Sequence, residues 1–407
     1  MAASSGQCFA TGVRVVYEMA RSGAASPPLL KHLNERTVLD AIRAGAPISR
    51  AEISRRAGIS KPTVSLALES LREAGLVREA KRGPVGPSYG AIYFEPVAEA
   101  ALALGLDLGT HFVRGAICDL AGTIRARQDV EVARADAAVA IDAITRLRDT
   151  LTQGTHLDPS LVDGAVVGVP GVVETDSGVL RLALNVAGLE GRAFGRDLED
   201  ALGVPVTLEN DINLAALGEL WQGVARGVSN FAFLSVGAGL GAGLVLDGEL
   251  HRGRNGAAGE LDFALGARSD GDDPCAAAVS ALAAQLARDG RETELAPPYD
   301  TRAIFGAARK GDHVAREVVE EVARRIAMHV APIAAVADVE LVVLGGGIGA
   351  NGDLLLDAVG RLLAEWLPFP PRVEVSTLGE GAVLAGALFV GLQAALDSVF
   401  TSRPVRA

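Results

Sequence analysis

Apolar positions in residues 37–71 recur at helical spacing, and from residue 101 onward they gather into short strand-length runs. Thr37–Ala44 sets Val38, Leu39 and Ile42 on one side and predicts a first helix. Ser49-Arg-Ala-Glu52 has the spacing of a capping box, in which the serine oxygen accepts an amide and the glutamate reaches back. It predicts a second helix to about Ala57 that buries Ile53 and Ala57. Gly58 makes a turn with Ile59 pointing inward. Ser60 is a second N-cap, and Pro62 is tolerated because a first turn needs no internal donors. Val64, Ala67, Leu68 and Leu71 then fall at i, i+3, i+4 and i+7, a single apolar stripe. Leu76–Ala80 and Gly90–Phe94 predict two strands with Lys81 and Arg82 at their tip. Helix, glycine turn, helix and basic hairpin in this order read as a winged helix-turn-helix. A helical hairpin for protein contacts is the plainer alternative.

Beyond Ala101 the runs Leu102–Leu108, Val113–Cys118, Gly164–Val169, Val204–Leu208, Phe231–Val236, Leu244–Leu246 and Leu341–Leu344 alternate with helical stretches. That alternation predicts α/β architecture. Asp107-Leu-Gly-Thr110 and Gly237-Ala-Gly-Leu-Gly-Ala-Gly243 each follow an apolar strand and precede a second one, which suggests two related lobes. Three segments result: an extension over 1–28 that ends in Pro27-Pro28, a winged head over 29–96, and a body over 97–407. The lobe boundary is placed near residue 213, with a C-terminal helix returning to the first lobe.

Charge sharpens this division. The chain carries −12 overall, yet residues 1–95 hold 13 Lys and Arg against 8 Asp and Glu, which is +5 and leaves −17 for the rest. A basic head on an acidic body is expected when only the head meets phosphate, so double-stranded DNA is the expected partner. A recognition helix contacts DNA mainly with its N-terminal residues. Ser60, Lys61, Thr63, Ser65 and Leu66 therefore form the expected DNA surface, with Lys81 and Arg82 reaching backbone or minor groove. Cys8, Cys118 and Cys275 are odd in number and far apart, which fits a reducing cytoplasm. Residues 1–25 lack a signal-peptide pattern, and Gly, Asp or Arg interrupts each long apolar run. A cytoplasmic protein with no membrane partner is expected.

The body's candidate chemistry lies in four places. Asp107-Leu-Gly-Thr110 offers amides, a hydroxyl and a carboxylate suited to phosphate and metal, or is an ordinary tight hairpin. Gly237–Gly243 lets backbone approach a ligand closely. Asn210-Asp211 sets an amide beside a carboxylate, able to hold two sugar hydroxyls, or is an Asx turn capping the helix from Ile212 to Trp221. Pro170-Gly171 shapes a cleft-lining loop or merely turns the chain.

These segments resemble those of the ROK family of sugar kinases and sugar-responsive repressors. The match runs through Leu104-Gly-Leu-Asp107-Leu-Gly109-Thr110, Val167-Gly-Val-Pro170-Gly171-Val, Leu208-Glu209-Asn210-Asp211-Ile-Asn213, Gly237 to Gly243, Gly256-Ala-Ala-Gly-Glu260 and Leu344-Gly-Gly-Gly-Ile-Gly349. It implies an actin-like (ribonuclease H-like) two-lobed sugar-kinase fold behind the winged head, which the family's repressors carry and its kinases usually lack. It implies sugar contacts from Asn185, Asn210, Asp211 and Glu260, with Asp211 at the catalytic-base position. It implies phosphate contacts from Asp107, Gly109, Thr110, Gly237 and Gly239.

The departures are equally specific. The family's histidine three residues after the glutamate is Phe263 here, and only Cys275 remains of its zinc cysteines, so no metal is expected. The phosphate-loop threonine is Ala238, and the first loop has one glycine fewer than the kinase pattern. Phosphoryl transfer needs phosphate positioning as well as a base. The expected function is therefore a transcriptional regulator of carbohydrate genes, a repressor, that binds a sugar without turnover or cofactor and works as a homodimer or homotetramer. The alternatives are an active ATP-dependent sugar kinase with an accessory DNA-binding head, and a ligand-independent DNA-binding protein that uses a dead kinase fold to dimerise.

Overall fold

A computed structural model describes residues 27–81, 91–132, 136–154, 162–183, 185–265, 272–288 and 291–402. The predicted extension over 1–28 falls almost wholly outside the described residues.

The head begins with α1 (Pro27–Gly45), well upstream of the predicted Thr37 start, and continues through β1 (Ile48–Ser49), α2 (Arg50–Ala57) and α3 (Lys61–Glu73). Ser49 Oγ accepts the Glu52 amide at 3.3 Å, so half of the capping box forms. The other half does not: the Glu52 carboxylate turns to Arg55 and Arg56 instead of reaching back, because two charge-assisted bonds outweigh one backbone amide. Gly58 closes α2 in the left-handed conformation, where a side chain would be strained. Val64, Ala67, Leu68 and Leu71 are buried as the stripe predicts, while Ala57 is only partly covered. The wing is three-stranded rather than two-stranded. β3 (Tyr93–Pro96) lies between β2 (Val77–Glu79) and β1, with Phe94 opposite both Glu79 and Ile48. Gly90, the predicted start of the second wing strand, lies outside the described residues.

The first lobe follows as β4 (Leu102–Leu108), β5 (Phe112–Asp119), β6 (Ile124–Glu131), α4 (Ala137–Gly154), β7 (Val162–Val169), a small hairpin of β8 (Val172–Val173) and β9 (Leu180–Arg181), α5 (Phe194–Leu202), β10 (Val206–Asn210) and α6 (Asp211–Gln222). The second lobe contains β11 (Phe231–Val236), β12 (Leu240–Leu246), β13 (Glu249–Leu250), α7 (Leu261–Leu265), α8 (Ala276–Arg288), α9 (Thr301–Lys310), α10 (His313–Ala337), β14 (Leu341–Gly345), α11 (Gly346–Gly349), α12 (Gly352–Trp366) and β15 (Arg372–Val375). The chain ends in α13 (Ala382–Ser402).

Two five-stranded sheets repeat one plan. In the first, β4 is flanked by antiparallel β5 and parallel β7, with β6 and β10 outside, and in the second β11 is flanked by β12 and β14, with β13 and β15 outside. The glycine run 237–243 is only partly a turn. Gly241 and Gly243 belong to β12, and a Cβ on either would meet α6, 2.4 Å from Ile212 Cδ1 and 2.7 Å from Ile212 O. Those two glycines admit the protein's own helix rather than a ligand.

α6 lies between the sheets. Leu214 and Leu217 pack with Val166 of the first, and Ala215 and Ala216 pack with Phe231 and Phe233 of the second. α13 lies along α6 at backbone distance: a Cβ on Gly386 would sit 1.9 Å from Leu214 O, and one on Gly218 2.2 Å from Ala382 O. The stretch Gly379–Asp397 is long and apolar enough to cross a membrane, contrary to the expectation that no run would be, but here it is a helix packed into the core. Its Leu384, Leu388, Leu392 and Leu396 share one cluster with Ala103 and Cys118 of the first sheet and with Val38, Leu39, Ile42, Leu68 and Phe94 of the head. The hydrophobic core therefore runs unbroken from the wing into the first lobe.

Candidate functional sites

The head presents the N-terminal turn of α3 to solvent. Ser60 and Lys61 are exposed, Thr63 and Ser65 partly so, and Leu66 is 68% exposed despite being apolar. Some of the expected hydroxyl capacity is committed to the helix. Ser60 Oγ accepts the Thr63 amide at 3.4 Å and lies 2.8 Å from Thr63 Oγ1, and Ser65 Oγ donates to Lys61 O at 3.0 Å. That leaves Lys61 and Leu66 as the freest groups of the surface. Lys81 is exposed just beyond β2, and Arg82 lies outside the described residues. Sequence reasoning passed over Arg50, exposed at the start of α2. The only signal for it is its place at a helix start, where the first helix of this motif crosses a phosphate backbone.

The cleft is built at the carboxyl ends of β4 and β10. Asn210 caps α6 through Oδ1, which accepts the Asn213 amide at 2.9 Å. Its Nδ2 donates to Gly171 O at 2.9 Å and reaches Glu260 Oε1 at 3.5 Å. The capping and the site readings of Asn210 thus hold together: one side chain fixes the helix start, the 170–171 loop and Glu260. Asp211 Oδ1 accepts the Ile212 amide at 2.8 Å. Burial, then the charge of Asp107, pushes the Asp211 carboxyl up to about 7, while the Ile212 amide pulls the other way. Burial also pushes Asp107 up to about 6 against its partner Arg114, whose Nη1 donates to Asp107 Oδ2 at 3.2 Å. Burial raises Glu260 as well, and the Asp262 charge adds to it. Three carboxyls are thus drawn into one electrostatic neighbourhood.

The other expected residues are placed less centrally. Asn185 is exposed in a turn, and none of the described hydrogen bonds ties it to Asn210, Asp211 or Glu260. Gly109 closes a tight hairpin by donating its amide to Phe112 O at 2.9 Å, with Thr110 exposed at the tip. Gly237 donates to Gly239 O at 3.0 Å in the corresponding turn of the second lobe. Glu209 lies within the Leu208–Asn213 segment, where the sequence pattern alone implies no role for it. It is buried and anchors the site: Oε1 accepts the Asn210 amide and Asn213 Nδ2, both at 3.0 Å, and Oε2 accepts Arg252 Nε at 2.6 Å. A charged residue immediately before a buried Asn-Asp pair was the available signal. Among the described residues no group of three or more His, Cys, Asp and Glu side chains is placed to hold a metal ion, and residues 266–271 lie outside that set.

The ROK family profile matches residues 103–393, well over half of the sequence. The chain belongs to the ROK family. A MarR family profile matches residues 32–84, the head of this ROK protein. Among curated relatives, a xylose repressor of Caldicellulosiruptor bescii is 27% identical over 384 residues, covering 88% of this chain and 95% of its own. A glucokinase of Halalkalibacterium halodurans is 29% identical over 311 residues, covering 70% of this chain and 92% of its own. Among solved structures, a ROK family transcriptional regulator homologous to the E. coli MLC protein superposes with a TM-score of 0.76 at 22% identity, over 91% of this chain and 98% of its own. That likeness extends the shared fold through the head. A ROK family glucokinase from Streptomyces griseus, solved with glucose and AMPPNP, gives 0.60 at 27% identity over 72% of this chain and 100% of its own.

Proposed function

We propose that this ROK protein is a DNA-binding transcriptional repressor whose cleft takes a sugar or sugar derivative and turns nothing over. The observation that carries the reading is the unbroken core joining the winged head to α13, with α13 pressed along α6, the helix that Asn210 and Asp211 begin. A sugar held by Asn210, Asp211 and Glu260 bears on the start of α6, and any shift of α6 is felt by α13 and hence by the head. Such a ligand acts only through unequal affinity for two arrangements of these parts. Asn185 is kept as an outlying sugar contact. Asp107, Gly109, Thr110, Gly237 and Gly239 form a phosphate side that no longer serves transfer. Residues 29–96 act as the DNA-binding unit and 97–407 as the sensor, with paired heads from a dimer or tetramer meeting a two-fold operator in the cytoplasm. The curated relatives of this length make xylose the first sugar to try. The test is genome-wide binding of the protein, followed by gel shifts of the recovered fragments with a sugar panel. Absence of any sequence-specific fragment would overturn the repressor reading.

A second reading, a sugar kinase with a DNA-binding head, rests on Asp211, whose carboxyl near 7 is suited to accept a hydroxyl proton. Sugar-dependent ADP release that disappears in Asp211→Asn would favour it.

A further inference from the structure

The turn that joins β11 to β12 is the second-lobe counterpart of the 109–111 turn, and its backbone amides are the groups that would receive a nucleotide phosphate. Two of them, those of Gly237 and Leu240, are already engaged. Asp262 Oδ1 accepts the Leu240 amide at 2.7 Å. Asp262 Oδ2 lies over Gly239, 2.5 Å from where a Cβ would stand. A side chain at residue 239 would displace the Asp262 carboxylate from this position. The Gly237 amide donates to Gly239 O at 3.0 Å, and Ala276, the first residue of α8, donates to Gly237 O at 2.9 Å. The Cys275 amide just before α8 is taken by Asp273 Oδ1 at 2.7 Å, and Cys275 Sγ lies 3.8 Å from Asp262 Oδ1. Asp262 and Asp273 therefore bracket Cys275, and Asp262 takes the Leu240 amide at the edge of the turn.

We propose that Asp262 closes the nucleotide side of the cleft, its carboxylate resting on the 237–240 turn in place of a phosphate. The proposal builds on the reading of the protein as a sensor without turnover and supplies its cause. Loss of the loop hydroxyl at Ala238 removes one donor, whereas Asp262 occupies another and repels any incoming anion. Like charges a few ångströms apart at a protein surface repel enough to weaken the binding of an anion by about tenfold or more. The device also separates the two halves of the site. Asp262 bonds neither Asn210 nor Glu260 in any described hydrogen bond, so the phosphate side is filled from within without its carboxylate taking up the sugar-side groups.

Titration calorimetry of the full-length protein with MgATP tests this in the wild type, Asp262→Gly and Asp262→Asn. Glycine clears the turn. Asparagine keeps an oxygen for the Leu240 amide and removes only the charge, so it keeps the test sound if the glycine variant folds poorly. The wild type should give no binding heat at millimolar MgATP, and at least one folded variant should gain affinity by about tenfold or more. MgATP binding by the wild type as tight as by the variants would overturn the proposal. So would two folded variants, checked by thermal melting, that gain none. Operator gel shifts on the same three proteins read the regulator hypothesis independently, because the DNA surface lies on α3, in a different part of the chain.

Discussion

The two lobes share a strand order but face their helices with different side chains, and the difference tells which lobe carries the head. In the first sheet β4 alternates large and small. Leu102, Leu104 and Leu106 point into one cluster with α4 and α5, while Ala103 joins α13 on the other face and Gly105 comes so near that a Cβ would stand 3.0 Å from Leu388. In the second sheet the small residues that admit a helix, Gly241 and Gly243, stand on β12 and face α6, while β11 is bulkier. Phe231 and Phe233 meet α6, and Leu234 and Val236 meet the cluster of α8, α10 and α12. Small residues let a helix sink onto a sheet. α13 does so in the first lobe, and its outer side is then free to hold the head. Among the described residues, the cluster that holds the head includes none from the second sheet.

Substitutions in the two lobes should separate these roles. The largest effect is expected at Gly386→Ala, where the added methyl meets Leu214 O and must part α6 from α13. A loss of about 3 kcal/mol in urea unfolding is expected, in line with overpacked cores. Close behind come Leu392→Ala and Leu355→Ala, buried leucines of the shared head cluster and of the second-lobe cluster. Each should cost about 3 kcal/mol. Only Leu392→Ala should also weaken operator binding at temperatures where both variants remain folded. Equal loss of DNA affinity in the two would erase the distinction between lobes.

Asp211→Asn probes the cleft between them. The folded carboxyl sits at about 7, above its ordinary value near 4, so ionising it costs stability as pH rises through that window. The asparagine variant should match the wild type near pH 4 and exceed it increasingly as pH rises, the gain levelling off above pH 7. A gain that does not vary with pH would mean that the carboxyl is not held in its neutral form by the fold. Lys61→Ala should weaken operator binding by about tenfold and lower the salt slope by about one. An unchanged slope would move phosphate contact away from the start of α3. The smallest effect is expected at Arg36→Ala. Arg36 bonds Asp397 at 2.8 Å and also Gln393, but both charged side chains are about a third exposed, so its loss should cost below about 1 kcal/mol.

The sequence made the head legible because α3 is amphipathic, with one stripe buried and the opposite face polar. It made the central strands legible because they are apolar, and their predicted limits fall within about four residues of those observed, whereas β6, polar and largely exposed, carries no such signal. The family segments single out Asn210, Asp211 and, 50 residues beyond Asn210, Glu260, which the fold brings together. What stayed hidden was of two kinds. α13 has no polar stripe to declare a facing, since it is covered by the sheet, by α6 and by the head on different sides, and a helix apolar all round looks the same in a membrane or in a core. Gly241 and Gly243 were assigned to a ligand because a glycine run records close approach without recording by what. Asp262 and Arg36 act on partners 22 and 361 residues away, pairings that no local pattern encodes.

The core that passes from the wing through α13 into the first sheet also bears on how such regulators can be recombined. A head lifted at residue 96 would leave Val38, Ile42 and Phe94 without their C-terminal partners. Expressed alone it should be a poor folder, and in the whole chain it should melt together with the first lobe in one transition. A working chimera that exchanges operator specificity would need to transplant the matching surface of the last helix along with the first ninety-odd residues. The head and α13 share one core although both lobes lie between them in sequence.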